Sequence, residues 1–294
     1  MSKKDKALFH LPGLFEFYEL YKAFFSVFYK ERDMFYPWAF IASVYGAPGN
    51  SLWAGGRFEE GYESPERVLG LLKRYGISAR LTFSNSLLAK EHLSDRKCNR
   101  LCKQFEESGT NGVIVHSEIL TAYLKERYPG LYLVSSTTKV LTDFEDLLSE
   151  LRREEFLYVV PDFRLNKQLD KLCSLTDPEK DKVEFLVNEC CHTGCTDRKA
   201  CYENVSRRML SEDVPEHVCK APFGNEGYDI KRAMENPSFI GPSDIVDTYL
   251  KNGFSNFKIE GRGLSEETVL ELLLFYLAKS ENISKVKELV YLNL

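Results

Sequence analysis

The chain has 294 residues, of which 44% are hydrophobic and 13% aromatic, and a formal net charge of -5. That length supports one large domain with a full core, and the aromatic content excludes a disordered chain. The charge excludes a broad electrostatic grip on nucleic acid, which needs a basic face.

The N-terminal Met1-Ser-Lys-Lys-Asp-Lys resembles a charged leader, but Glu16, Glu19 and Lys22 interrupt the apolar stretch behind it. No uncharged run approaches the roughly 18 residues needed to cross a membrane. We therefore expect a soluble, cytoplasmic protein without a membrane partner. Within residues 14–36, Leu14, Phe17, Tyr18, Tyr21, Phe24, Phe25 and Phe28 recur at helical spacing and make one wide aromatic stripe. The simpler expectation is a helix packed on the body of the protein. The alternative is a docking surface for a protein partner.

From residue 39 onward short β-rich runs alternate with amphipathic stretches. The runs are Phe40–Tyr45, Ile77–Phe83, Gly112–His116, Leu131–Ser135, Leu157–Pro161, Val183–Asn188 and Asn256–Glu260, with a weaker eighth at Ser238–Ile240. Helices are expected at Pro65–Tyr75, Ser94–Glu107, Glu118–Tyr128, Phe144–Glu154, Asn166–Leu172, Ser243–Lys251 and Glu266–Ala278. Ser64-Pro65-Glu66 and Pro242-Ser243-Asp244 are good helix starts. Alternation of this kind with apolar strands indicates a parallel sheet covered by helices. Eight candidate strands favour an α/β, TIM-like (β/α)8 barrel at residues 37–294, preceded by a helical extension at 1–36. No Gly-x-Gly-x-x-Gly follows the first run, which weakens a dinucleotide-binding reading.

The rhythm breaks between residues 190 and 237, read as a Cys-rich insertion after the sixth strand. Such insertions lie at the C-terminal face of a barrel, where active sites sit. Five of the eight cysteines fall here: Cys190, Cys191, Cys195, Cys201 and Cys219. Thiolates bind zinc and iron–sulfur clusters equally well. Their irregular spacing favours a cluster, while His192 and His217 beside the thiols keep zinc open. A radical S-adenosylmethionine triplet is rejected, because its third position is Arg198. The alternative is that they are small buried hydrophobes, which suits Cys98, Cys102 and Cys173.

Polar residues at the other strand ends complete the candidate site. Arg57, in a glycine-rich loop, could clamp a carboxylate or phosphate. Asn85, Lys139, Asp162, Arg164 and Asn188 follow later strands. Lys258, Glu260 and Arg262 alternate, so their side chains point the same way. Inside a barrel that row needs internal pairing or an anionic ligand. No Ser-His-Asp order or His-Glu-x-x-His stands out.

Leu186-Val-Asn-Glu-Cys-Cys191, Gly194-Cys195 and Phe257-Lys-Ile-Glu-Gly-Arg262 resemble peptidase family U32, over roughly residues 39–280 in strand order. The family contains collagenase-like proteins and oxygen-independent hydroxylases of ubiquinone precursors and RNA bases. The resemblance implies a barrel with a four-cysteine iron–sulfur (4Fe-4S) cluster on Cys191, Cys195, Cys201 and Cys219, Cys190 being the reserve. It also implies an oxygen donor such as prephenate in place of dioxygen. The favoured reading is a redox enzyme, with Lys258, Glu260, Arg262, Asp162 and Asn188 as catalytic candidates. Arg57, Asn85, Lys139 and Arg164 would then bind a small anionic, aromatic or nucleic-acid-derived substrate. The alternatives are a peptidase, or a non-catalytic partner subunit whose metal is structural.

Overall fold

The structure is a computed structural model that describes residues 5–56, 61–222, 224 and 226–294. Eight strands all run parallel: β1 Ala7–Pro12, β2 Ala39–Gly46, β3 Ser78–Phe83, β4 Gly112–Val115, β5 Tyr132–Ser135, β6 Phe156–Val159, β7 Glu184–Leu186 and β8 Asn256–Lys258. Their order is β6-β5-β4-β3-β2-β1-β8-β7, and a single bridge between Val159 and Val183 brings the β6 edge to the β7 edge. The result is a nearly closed (β/α)8 barrel.

Helices α1 Tyr18–Lys30, α2 Pro65–Tyr75, α3 Arg96–Glu106, α4 Glu118–Arg127, α5 Phe144–Leu151, α6 Leu169–Leu172 and α7 Asp177–Lys182 alternate with the first strands. Then follow α8 Arg198–Met209, α9 Ile230–Glu235, α10 Pro242–Asp244, α11 Glu266–Leu277 and α12 Ile283–Tyr291. Helix starts obey the local chemistry. Ser64 Oγ accepts from the Arg67 N–H with Pro65 in the first turn, and Asp143 caps α5 through the Glu145 and Asp146 N–H groups. No helix among the described residues is long and apolar enough to cross a membrane.

The period-two pattern of the strands sorts the core into two parts. Val113, Val115, Leu133, Phe185 and Phe257 face the helices in the large outer core. Ile114, Val134 and Leu186 face inward, with Tyr45 and Val160, in a small cluster inside the barrel.

Three expectations need correction. The segment 1–36 is no appended extension: β1 pairs with both β2 and β8, and α1 is the first barrel helix. Its outward residues Ala7, Phe9 and Leu11 join the outer core. Ser238–Ile240 forms no strand; Ile240 only donates its N–H to the Val187 carbonyl at 3.0 Å. With β1 counted, the Cys-rich insertion follows β7, not the sixth strand. The aromatic stripe of α1 follows the simpler of its two expectations and packs on the body of the protein. Tyr21, Phe24, Phe25 and Phe28 are buried in this same chain, and each buried Phe stabilises it by about 1.5–3 kcal/mol.

Candidate functional site at the barrel mouth

The Cys-rich loop is folded by a few long-range contacts. Cys191 and Cys195 flank a tight turn in which the Cys195 N–H donates to the His192 carbonyl at 3.0 Å. Cys201 lies in the first turn of α8. Cys219 returns because Asn204 on α8 grips the strand behind it: Asn204 Nδ2 donates to the Pro215 carbonyl at 2.9 Å, and its Oδ1 accepts from the His217 N–H at 3.1 Å. A Cβ at Gly224 would strike the Cys219 thiol, so the missing side chain makes room for that sulfur.

These contacts bring Cys191, Cys195, Cys201 and Cys219 to the wall of one pocket of about 250 Å³, with His192, Arg198, Tyr202 and His217. All eight cysteines are thiols, not disulfides, and Cys190 is exposed while the other four of the segment are half-buried. Cys98 and Cys102 are fully buried in the outer core, as expected of small hydrophobes. Among the described residues no three His, Cys, Asp or Glu side chains are gathered closely enough to hold a single metal ion. Four soft thiols around one cavity are a donor set that fits an iron–sulfur cluster, whose cysteines ligate different irons and therefore need not crowd a single point.

The loop is fastened to the barrel by buried charges. Arg198, 2% exposed, places one nitrogen 2.7 Å from Glu189 Oε2 and another 3.4 Å from Asp162 Oδ2. Glu189 Oε1 accepts from the Cys191 N–H at 2.9 Å. Arg164 pairs with Asp162 at 2.6 Å and donates to the Cys195 carbonyl at 2.9 Å. Asp162 and Arg164 thus brace the thiol loop. The Asp162 carboxylate holds the Arg164 guanidinium's pKa above its ordinary value.

A second, smaller pocket of about 50 Å³ lies at the carboxyl ends of the strands, lined by Tyr45, Gly55, Gly56, Thr82, Glu189, Lys258, Glu260 and Arg262 among others. The Lys258–Glu260–Arg262 row is brought together there. Tyr202 lines both this mouth and the thiol pocket. Gly55 lets its loop run against the Ser84 and Asn85 backbone, where a Cβ would clash at 2.5 Å. Its carbonyl accepts from Arg262 at 3.3 Å.

Beneath the mouth lies a buried polar layer, with Lys258 at its upper edge lining the mouth. Arg80 contacts Glu184 at 2.5 Å and donates to the Tyr132 hydroxyl at 2.9 Å. Lys258 Nζ sits 3.7 Å from Glu184 and 4.1 Å from the Tyr45 ring centroid. Burial lowers the Lys258 pKa to about 8, aided by Arg80 and Arg262 and resisted by Glu184. Burial would raise the Glu184 pKa, but Arg80, His10 and Lys258 more than offset it and hold it at about 2. His10 and Ser43 share a 2.8 Å hydrogen bond, with Glu184 3.5 Å from the other ring nitrogen. This resembles a hydrolase triad, yet all three are 0% exposed, and burial with Arg80 nearby lowers the His10 pKa to about 3.

The remaining candidates scatter. Asn188 clamps the β7 and β8 ends, donating to the Glu260 carbonyl at 3.0 Å and accepting from its N–H at 2.7 Å. Asn85 ties the Leu52 and Ser206 carbonyls and is fully buried. Lys139 pairs with Glu118 and Glu150 and lines neither pocket, though Ser136, Thr137 and Thr138 before it line the mouth. Both are corrected from substrate binding to structure. Arg57 lies outside the described residues. Sequence reasoning missed Tyr45, Glu189, Tyr202 and the His10–Arg80–Glu184 layer. The inward positions of β1, β3 and β7 were the available signal, since a polar residue at an inward place in an apolar strand requires a partner.

Fold and site together define a parallel α/β barrel with a thiol-lined pocket beside a charged mouth. Its fold is similar to that of a solved structure described as the U32 peptidase Mk0906, at 13% identity and a TM-score of 0.48, over 75% of this chain and 85% of that one. No protein-family model matches the chain, and no curated protein matches it.

Proposed function

We propose that this chain is an iron–sulfur redox enzyme, with the cluster held by Cys191, Cys195, Cys201 and Cys219 and the substrate's anionic group at the mouth. One observation carries this reading: four thiols separated by up to 28 positions in sequence line a single pocket that shares Tyr202 with the barrel mouth. When bound, such a cluster supplies one-electron transfer. The chain's own residues do the rest. Lys258 and Arg262 hold negative charge at the mouth, Glu260 sits in reach of the same small cavity, and Tyr202 separates it from the thiols. The resemblance to the U32 family in the quoted segments makes oxygen-independent hydroxylation of an anionic, aromatic or nucleic-acid-derived compound the reaction of choice.

The zinc reading is less well supported, because among the described residues no three potential ligands gather around a single point. A peptidase reading has little support from His10, Ser43 and Glu184, since no substrate reaches them. The test is a set of single Cys-to-Ser variants made without air. Loss of visible absorbance in Cys191→Ser, Cys195→Ser, Cys201→Ser and Cys219→Ser, but not in Cys190→Ser, supports the ligand set. Colour retained in all five sinks it.

A further inference from the structure

We propose that Lys258 is a carbonyl-condensing amine that captures a small aldehyde or ketone bearing an adjacent anionic group. The inference goes beyond the redox reading and stands without any metal. Three features of the mouth carry it. First, Lys258 closes β8 at the C-terminal face, lines the 50 Å³ cavity and is only 5% exposed, so its amine is held in a nearly dry place. Second, the groups facing it come from every side: Glu184 on β7, Arg80 on β3, Tyr45 on β2 and Arg262 just beyond β8. Desolvation beside other cations is the arrangement that leaves a lysine nucleophilic near neutral pH. Third, the cavity supplies the partners of condensation. Arg262 offers a guanidinium for a neighbouring carboxylate, and Glu260 a carboxylate for proton transfer. Thr82, 4% exposed, has a buried hydroxyl with no hydrogen-bond partner, aimed at the same space.

The step balances without an oxidant. The neutral Lys258 amine attacks the carbonyl carbon, forming a C–N bond as the C=O π pair moves to oxygen, and the proton that nitrogen sheds passes to that oxygen to give a carbinolamine. Protonation of that hydroxyl by Glu260, which takes its proton from solvent, expels water as the nitrogen lone pair closes the iminium. Burial that lowers the Lys258 pKa to about 8 raises its neutral fraction at pH 7 roughly three hundredfold over an ordinary lysine.

The test uses the whole folded chain at pH 7 with glyoxylate or formaldehyde plus cyanoborohydride, which delivers hydride to the iminium carbon and fixes the adduct. Peptide mass spectrometry then follows modification at each lysine. The expected result is Lys258 modified by glyoxylate at least about tenfold faster than the exposed Lys73 and Lys103. Arg262→Gln should slow glyoxylate more than formaldehyde, because both lose the cation that helps keep Lys258 neutral but only glyoxylate also loses its carboxylate partner. Lys258 reacting no faster than the exposed lysines, in protein whose circular dichroism is native, overturns the proposal. Equal rates for Arg262→Gln and the parent chain with glyoxylate overturn its anionic ligand class.

Discussion

Glu189 and Arg198 meet at 2.7 Å with almost no solvent exposure, and the same carboxylate accepts the N–H of Cys191. One ion pair therefore ties the end of β7, the start of α8 and the first thiol of the pocket. Arg198 also lies 4.8 Å over the Phe163 ring and 5.2 Å over Tyr202, so its stem and plane are packed as well as paired.

Breaking this pair is expected to be severe. Arg198→Met leaves Glu189 buried without its cation, a loss of about 3–5 kcal/mol. Urea unfolding measures it directly. A variant within 1 kcal/mol of the parent would show that the pair does not hold the loop.

Asn188 makes a second, local prediction. Asn188→Ala removes two hydrogen bonds to the Glu260 backbone and one to the Tyr228 hydroxyl. The Tyr228 hydroxyl keeps its bond to the Asn188 carbonyl, so the loss falls on the two part-buried Glu260 backbone groups, at about 1–3 kcal/mol each in an unrelaxed site. The β7–β8 strand ends should then exchange amide hydrogens faster than the β3–β4 ends, which serve as the internal control.

The buried layer makes stability depend on pH. His10 has a native pKa of about 3 against 6.5 in the unfolded chain. It is neutral in the fold, so its contribution is complete above pH 6.5 and is lost as pH falls toward 3. His116, lowered to about 4 by burial and the nearby Lys139, acts in the same direction. Unfolding midpoints measured between pH 6.5 and 4.5 should fall steadily, and His10→Asn should flatten that slope. An unchanged slope would contradict the buried neutral imidazole.

Helix α1 offers a control on the partner reading. Phe24→Ala should destabilise the chain by about 3–5 kcal/mol, because Phe24 is 0% exposed and packs against Phe25, Phe28 and Phe35. Its size-exclusion volume should match the parent's, since the stripe faces this chain's own core.

Much of this was legible from residue order. Gly112–Val115 reads as a strand because apolar residues fill both of its faces, and Ser64-Pro65-Glu66 marks α2 because capping is local chemistry. The Lys258–Glu260–Arg262 row was found by its period of two. Strand β1 was missed because six residues between a lysine-rich start and a strong aromatic helix give little alternation to read. The braces were missed for another reason. Asp162, Arg164, Glu189 and Arg198 find one another across the barrel top, and no local pattern announces a partner 36 positions away, as Arg198 is from Asp162. Asp162 and Arg164 were consequently read as facing a ligand, while their pairing with each other went unseen.

The central claim is that the thiols after β7 share one inorganic centre. Iron and acid-labile sulfide analysis of protein prepared without air tests it most directly. The account predicts both elements in equal amounts, roughly four of each per chain for a four-cysteine cluster. Folded protein that carries one zinc without sulfide, or neither iron nor sulfide, would contradict it.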